Sequence, residues 1–293
     1  MPTSLDAIVG GATYSLSDGE PRFRLEEDGL GMAAAHRITE RGPLQHGDTD
    51  LGFRLDPRFV SLVFGVSAPT ESDLYDYRRA LLRIFKPRQS AIALRYTLSN
   101  GDVRQLDTHY FRDLAFPSRD RKGFYQRVAV TLRAADPLFY DPTQQSTSYG
   151  LGGGGGSGAV PTAVPTAVGA SVIDQSQSIF YLGDFLEYPV IIVNGPIVDC
   201  IITNETTVEV LDFTCYTLTT GMVIDTRYGY KTITKTDGTN LIDKLTDASD
   251  LATFHLEADD EAPGGENLIN VAGSGVDANT QIIIQWYARY TGL

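Results

Sequence analysis

The chain has 293 residues, a hydrophobic share of 42% and a formal net charge of −13, enough length for two domains and enough apolar residues for a core in each. The charge is uneven: before Tyr149 there are 19 basic and 19 acidic residues, and after it 5 and 18. An acidic second half does not favour a surface for nucleic-acid phosphate or anionic lipid, since both are repelled over about a Debye length.

Residues 1–35 carry short apolar pieces broken by Gly10-Gly11, Pro21 and Asp28-Gly29, with Phe23, Leu25 and Leu30 as candidates for a small hairpin. Strands are predicted at His36 to Thr39, Asp50 to Leu55 and Arg58 to Val66, and the nearly unbroken apolar run from Phe59 to Val66 suits a strand buried on both faces. One amphipathic helix is predicted from Ser72 to Phe85, with Thr70 or Ser72 as N-cap and an apolar stripe of Leu74, Tyr77 or Arg78, Leu81, Leu82 and Phe85. Asp73 and Asp76 lie early and Arg78, Arg79, Arg83 and Lys86 late, as the helix dipole favours, and Pro87 forbids continuation. The basic face reads as a solvated surface or as a subunit contact.

Ala91 to Leu98 and Val103 to Phe111 flank Ser99-Asn100-Gly101-Asp102, a strong hairpin signal. A further strand is expected from Phe124 to Ala134, and Asp136 to Pro142, with two prolines, reads as an anchored exit and not as a strand. Tyr149 to Ala170, with five consecutive glycines and an Ala-Val-Pro-Thr repeat, reads as a connector: a flexible part followed by an extended one. The expected division is therefore a domain over 1–148, a linker over 149–170 and a domain over 171–293.

Beyond Tyr181, short strands with Gly, Asn and Asp punctuation indicate a sandwich or jelly roll. They are placed at Glu187 to Val193, Val198 to Thr203, Thr207 to Phe213, Tyr216 to Leu218, Met222 to Asp225, Tyr230 to Thr234, Ala252 to Glu257, Asn267 to Ala272 and Thr280 to Tyr290. Cys200 and Cys215 fall on neighbouring strands and read as two buried thiols, although pairing is open to them. Trp286 reads as core or as a partly buried sheet face.

A search for chemistry returns little. His36, His46, His109 and His255 have no metal-ligand spacing, no Gly-x-Ser-x-Gly elbow occurs, and the acidic run Glu257 to Glu261 lacks the glycine and spacing of a calcium loop. No catalytic, cofactor or metal residue is assigned. No apolar run nears the roughly 20 residues of a bilayer span, and MPTSLDAIVGG lacks the order of a secretory leader, so cytoplasmic synthesis is expected.

The order of elements ITERGPLQHGDTDLGFRLDPRFVSLVFGV, YDYRRALLRIFKP, ALRYTLSNGDVRQLD and DPLFYDP, then YPVIIVNGPIVDCIITNETT and QIIIQWYARYTGL, resembles the distal tail protein (Dit) family of long-tailed bacteriophages. The resemblance implies a mainly β fold: a split-barrel or sandwich-like first domain with one helix, and a C-terminal galectin-like or jelly-roll sandwich. It further implies a structural, non-enzymatic protein of the virion tail tip without cofactors. The first domain would form a homohexameric ring whose lumen passes DNA, with the tail tube and tape measure proteins on one side and the hub or tail-associated protein on the other. The second domain would project outward, toward receptor-binding proteins or host cell-wall glycan. A carbohydrate-binding module is the alternative, with Tyr228, Tyr230 and Trp286 as exposed aromatics.

Overall fold

The computed structural model describes residues 3–16, 22–151 and 172–293. Its contacts divide the chain into one unit of Met1–Pro142 with Tyr290–Leu293, and a second of Thr143–Arg289.

The first unit is built on antiparallel strands in the order Ala12–Ser15, Ser4–Val9, Ile92–Thr97, Val103–Ala115, Tyr125–Ala134, Arg58–Ser67, Arg22–Asp28. Alternation turns Leu5 and Ala7, Leu94 and Tyr96, Val128, Val130 and Leu132, and Val60, Leu62, Phe64 and Val66 into one continuous core. The long strand Val103–Ala115 serves two neighbours, pairing with Ile92–Thr97 through its first half and with Tyr125–Ala134 through its second. The expected hairpin at Asn100-Gly101 forms, with Gly101 at φ 91°.

The helix runs Glu71–Phe85, capped by Thr70, whose hydroxyl accepts from the Asp73 amide. Leu74, Leu81, Ile84 and Phe85 are buried on it, and Phe85 stacks on Phe64 with ring centroids 6.3 Å apart. Leu82, expected in the stripe, is exposed: at 3.6 residues per turn it lies about 100° around from Leu81, and Ile84 takes the buried place.

Several expectations change here. The strand Arg58–Ser67 buries only one face fully, since Phe59 is 46% exposed. Arg22–Asp28 forms no local hairpin but pairs antiparallel with Arg58–Ser67, and the chain then turns at Gly29, at φ 88°, where a Cβ would sit 2.0 Å from the Phe59 carbonyl oxygen. Within the exit segment, Phe139–Tyr140 is a short strand, with Tyr140 opposite Gln105 and Phe139 buried edge-on against Tyr96.

Arg58 gathers these pieces. It is 4% exposed, and its guanidinium donates to the carbonyls of Pro137 at 2.6 Å, Gly29 at 2.8 Å and Thr291 at 2.7 Å, and to that of Gly31. It also lies 4.7 Å from the centroid of the Phe139 ring. The returning segment is held further by Arg104, 3.5 Å over the Tyr290 ring, and by the Leu293 amide on the Leu30 carbonyl.

Among its described residues the second unit has two antiparallel sheets. One is ordered Gln145–Gly150, Gln281–Trp286, Val190–Asn194, Gly221–Asp225, Thr232–Lys235; the other Ile173–Phe180, Glu266–Ser274, Ile197–Asn204, Glu209–Leu218. Each buries alternate residues: Ile191, Val193, Ile282 and Ile284 in the first, Ile202, Leu211, Phe213, Ile269 and Val271 in the second. Trp286 is core, at 7% exposure.

The division differs from the one expected at 148 and 170. Tyr149, taken as the start of the connector, is buried and paired with Ile282 on the strand Gln145–Gly150. Residues 152–171, which include the rest of that connector, lie outside the described residues, but the strands on either side of them belong to the same unit. Both flanking strands, QSTSYG and IDQSQSIF, are polar edge strands with little apolar alternation, so hydrophobic periodicity does not reveal them. Ala252 to Glu257 forms only a bridge between Leu256 and Glu187. Thr207 to Phe213 and Tyr216 to Leu218 are one strand, Glu209–Leu218, irregular at Cys215, whose φ is 69° and whose amide donates to Asp199. That irregularity corrects the thiols: Cys200 is buried, Cys215 is exposed, and both are free.

Candidate assembly arm and loop-end cluster

In the first unit the strands Ala35–Glu40 and Thr49–Leu55 pair only with each other. No residue of either strand is buried, and an isolated two-stranded hairpin is marginal in water. Its charges are largely spent within it: Arg37 meets Asp50 at 2.9 Å and Arg41 meets Asp48 at 2.8 Å. What stays open to solvent is apolar, with Leu44 at the tip fully exposed and Ile38, Leu51 and Phe53 46%, 58% and 51% exposed. The Arg37 guanidinium lies 5.5 Å from the Phe53 ring centroid. Such an arm is an incomplete piece of structure that a second surface would finish. Its sequence signal was present: six charged residues fall within Arg37 to Arg54, too many for a strand inside a core.

A second apolar spot of this unit is on its sheet, where Phe59 and Phe111 touch at 5.0 Å between ring centroids while each is nearly half exposed. The helix presents Arg79, Arg83 and Lys86 to solvent with Tyr75 and Leu82. Arg78 leaves that face: it bonds the buried Gln126 side-chain oxygen and lies 5.2 Å from the rings of both Tyr75 and Phe116. Glu71, in the first turn, takes a 2.6 Å bond from Arg121, which lowers its carboxyl pKa.

In the second unit, loops at one end of the sheets bring together residues far apart in sequence. Tyr188 precedes Val190–Asn194, Glu209 begins Glu209–Leu218, Asp225 ends Gly221–Asp225, and the turn Arg227 to Lys231 follows it. Tyr188 and Tyr228 meet edge to face at 4.6 Å, with their hydroxyls 3.1 Å apart. The Lys231 ammonium is 3.9 Å from the Tyr188 centroid and 5.3 Å from that of Tyr228, has no hydrogen-bond partner among the described residues, and burial lowers its pKa. Arg227 grips Asp225 through two bonds of 2.9 and 2.6 Å and lies 4.6 Å over Tyr230. The His255 ring bridges Glu209 and Glu257, each at 3.0 Å. Tyr228 and Tyr230 are 74% and 60% exposed.

Of the aromatics singled out in the sequence, Tyr228 and Tyr230 thus share one turn, whereas Trp286 is buried. Tyr188, Glu209 and Lys231 carry no local signal, because only the fold makes them neighbours. Of the other histidines, His36 and His46 are exposed on the arm, and the His109 ring bonds the Gln89 carbonyl at 3.1 Å. In the acidic run, Asp259, Asp260 and Glu261 are exposed and separate, while Ala258 and Ala262 are buried. Among the described residues no three His, Cys, Asp or Glu side chains are grouped to hold a metal ion, and no helix is long and apolar enough to cross a membrane.

Residues 9–107, which include the arm and the helix, match the family model described as the phage tail protein RIFT-related domain. The fold is that of the Dit protein of phage SPP1, described as a paradigm of the hub adsorption apparatus in phages infecting Gram-positive bacteria. The TM-score is 0.65 at 14% identity, over 97% of this chain and 98% of that one. Structures of the phage P2 baseplate in its activated conformation, with calcium or with strontium, align at a TM-score of 0.47 and 9% identity, over 96% of this chain and 97% of theirs. No curated protein matches the sequence.

Proposed function

We propose that the protein is a structural, non-catalytic component of a phage tail tip, a distal tail protein whose first unit closes into a homohexameric ring. The ring continues the tail tube, passes DNA through its lumen, and joins the tube and tape measure proteins to the hub or tail-associated protein. The observation that carries this reading is the arm. A solvated hairpin with internally paired charges and four exposed apolar side chains needs a second surface, and a head-to-tail contact repeated from subunit to subunit closes a ring. Full burial of one such side chain is worth about 1.5–3 kcal/mol, so the arm can supply several kilocalories per interface. The fold likeness and the family match over 9–107 agree with it.

Multi-angle light scattering and negative-stain imaging of the full chain, alone and with the hub protein, test the ring. Six-membered particles are expected from the native chain, and only monomers from Leu44→Asp/Phe53→Asp, with circular dichroism unchanged. A native chain that stays monomeric under both conditions, or a double variant that assembles normally, refutes the reading. A second reading, contact of the second unit with host glycan, is favoured by the paired exposure of Tyr228 and Tyr230.

A further inference from the structure

We propose that the loop-end cluster of the second unit is a binding site for a neutral saccharide, with Tyr228 and Tyr230 as its stacking platform; this rests on the glycan-contact reading. Loops at the end of a rigid sheet scaffold are where binding residues concentrate, and this end gathers aromatic and ionic side chains from five separate segments.

The chemistry of the cluster selects the ligand class. Its arginines are paired, Arg227 on Asp225 and Arg289 on Glu187 at 2.8 Å, and the His255 ring lies between the Glu209 and Glu257 carboxylates. The remaining cation, Lys231, has its ammonium buried against the Tyr188 and Tyr228 rings and not offered to a phosphate-bearing polymer, and the unit around it is strongly acidic. Polyanionic wall polymers and nucleic acid are thereby disfavoured. The remaining recognition elements are ring faces and polar atoms at their rims. Tyr228 shows most of its surface to solvent, while Tyr230 has one face covered by Arg227 and remains 60% exposed. A tyrosine offers an apolar face beside a hydroxyl, which fits the C–H face and hydroxyl edge of a pyranose ring. Glu209 and Glu257, each already engaged with His255, keep oxygen lone pairs that can accept from sugar hydroxyls.

The platform is held rather than loose. The Tyr230 and Lys231 amides both return to the Arg227 carbonyl, Gly229 takes φ 81°, and Lys231 takes φ 44°. Lys231 thereby keeps its ammonium against Tyr188 and Tyr228, fixing the angle of the exposed ring. We assign Lys231 and Tyr188 as positioning residues and Tyr228 and Tyr230 as contact residues.

The test uses the full chain on an array of neutral oligosaccharides of glucose, galactose, rhamnose and N-acetylglucosamine. Titration calorimetry and saturation-transfer NMR with the best of these follow. Binding is expected, with saturation transferred from tyrosine ring protons. Tyr228→Ala/Tyr230→Ala should weaken it roughly tenfold or more, while Tyr228→Phe/Tyr230→Phe, which keeps the rings, should bind within a fewfold of the native chain. Tyr14→Ala, in the first unit, should leave binding unchanged. Absence of any neutral glycan on the array overturns the glycan-contact reading itself. Binding that survives the double alanine variant, with circular dichroism confirming its fold, leaves glycan contact standing and overturns this site.

Discussion

Replacing Arg58 should unfasten the first unit at three places at once. The side chain donates four bonds to backbone carbonyls, from the turn at Gly29 and Gly31, the exit at Pro137 and the return at Thr291. A charged donor contributes about 1.5–3 kcal/mol per bond, less than additively, and removing one partner of a buried ionic arrangement typically costs about 3–5 kcal/mol. Arg58→Met keeps most of the volume and should destabilise the first unit by about 4 kcal/mol, equivalent to roughly 8–16 °C in its thermal midpoint. Arg58→Lys should recover little, since one ammonium cannot span four carbonyls placed around a planar fork. Hydrogen exchange read by mass spectrometry resolves the site: protection should fall at 29–31, 137–140 and 290–293, and remain in the strands of the second unit. A Met variant within about 1 kcal/mol of the native chain, or protection lost evenly across both units, would refute the clamp.

Gly29→Ala should be among the most damaging small substitutions, costing more than about 3 kcal/mol in urea unfolding, because the added carbon meets the Phe59 carbonyl at a left-handed φ. Thr70→Ala removes the helix cap and should cost about 1 kcal/mol by the same measurement. Maleimide labelling of the native chain should modify Cys215 and spare Cys200, whose thiol burial pushes up to about 12; equal labelling would contradict the placement of both. The Thr239 hydroxyl and amide hold the Asp237 carboxyl at about 2, below its ordinary value near 3.8. Its stabilising effect is therefore complete above the ordinary value and disappears as pH falls through about 2. NMR titration should find that midpoint, and Thr239→Val should raise it.

The first unit was legible wherever one face of an element is buried. The alternation from Ile92 to Leu98, the run from Phe59 to Val66 and the cap before the helix all encode their local form, and the Dit resemblance added their order. Residues whose role is set by distant partners were not legible. Nothing beside Arg58 in sequence announces Pro137 or Thr291, and Tyr188 and Lys231 acquire meaning only once separate strands put them together. The polar strand Gln145–Gly150 lacked a signal for a different reason: an edge strand is specified mainly by its neighbour's hydrogen bonds, and QSTSYG has a single buried anchor, Tyr149. A composition break at the glycines was therefore a true feature of the chain but a poor guide to where one unit ends.

The return of Tyr290–Leu293 to the first unit also has a consequence in time. During translation the whole second unit is made before the residues that occupy the Arg58 clamp and the Tyr290 contact. The first unit can collapse early but cannot be locked until the ribosome has passed Thr291, so a chain interrupted anywhere within the second unit leaves the first unlatched. On the ring reading proposed above, an assembly that admitted only latched subunits would exclude truncated copies, and the order of synthesis would then act as a proofreading step.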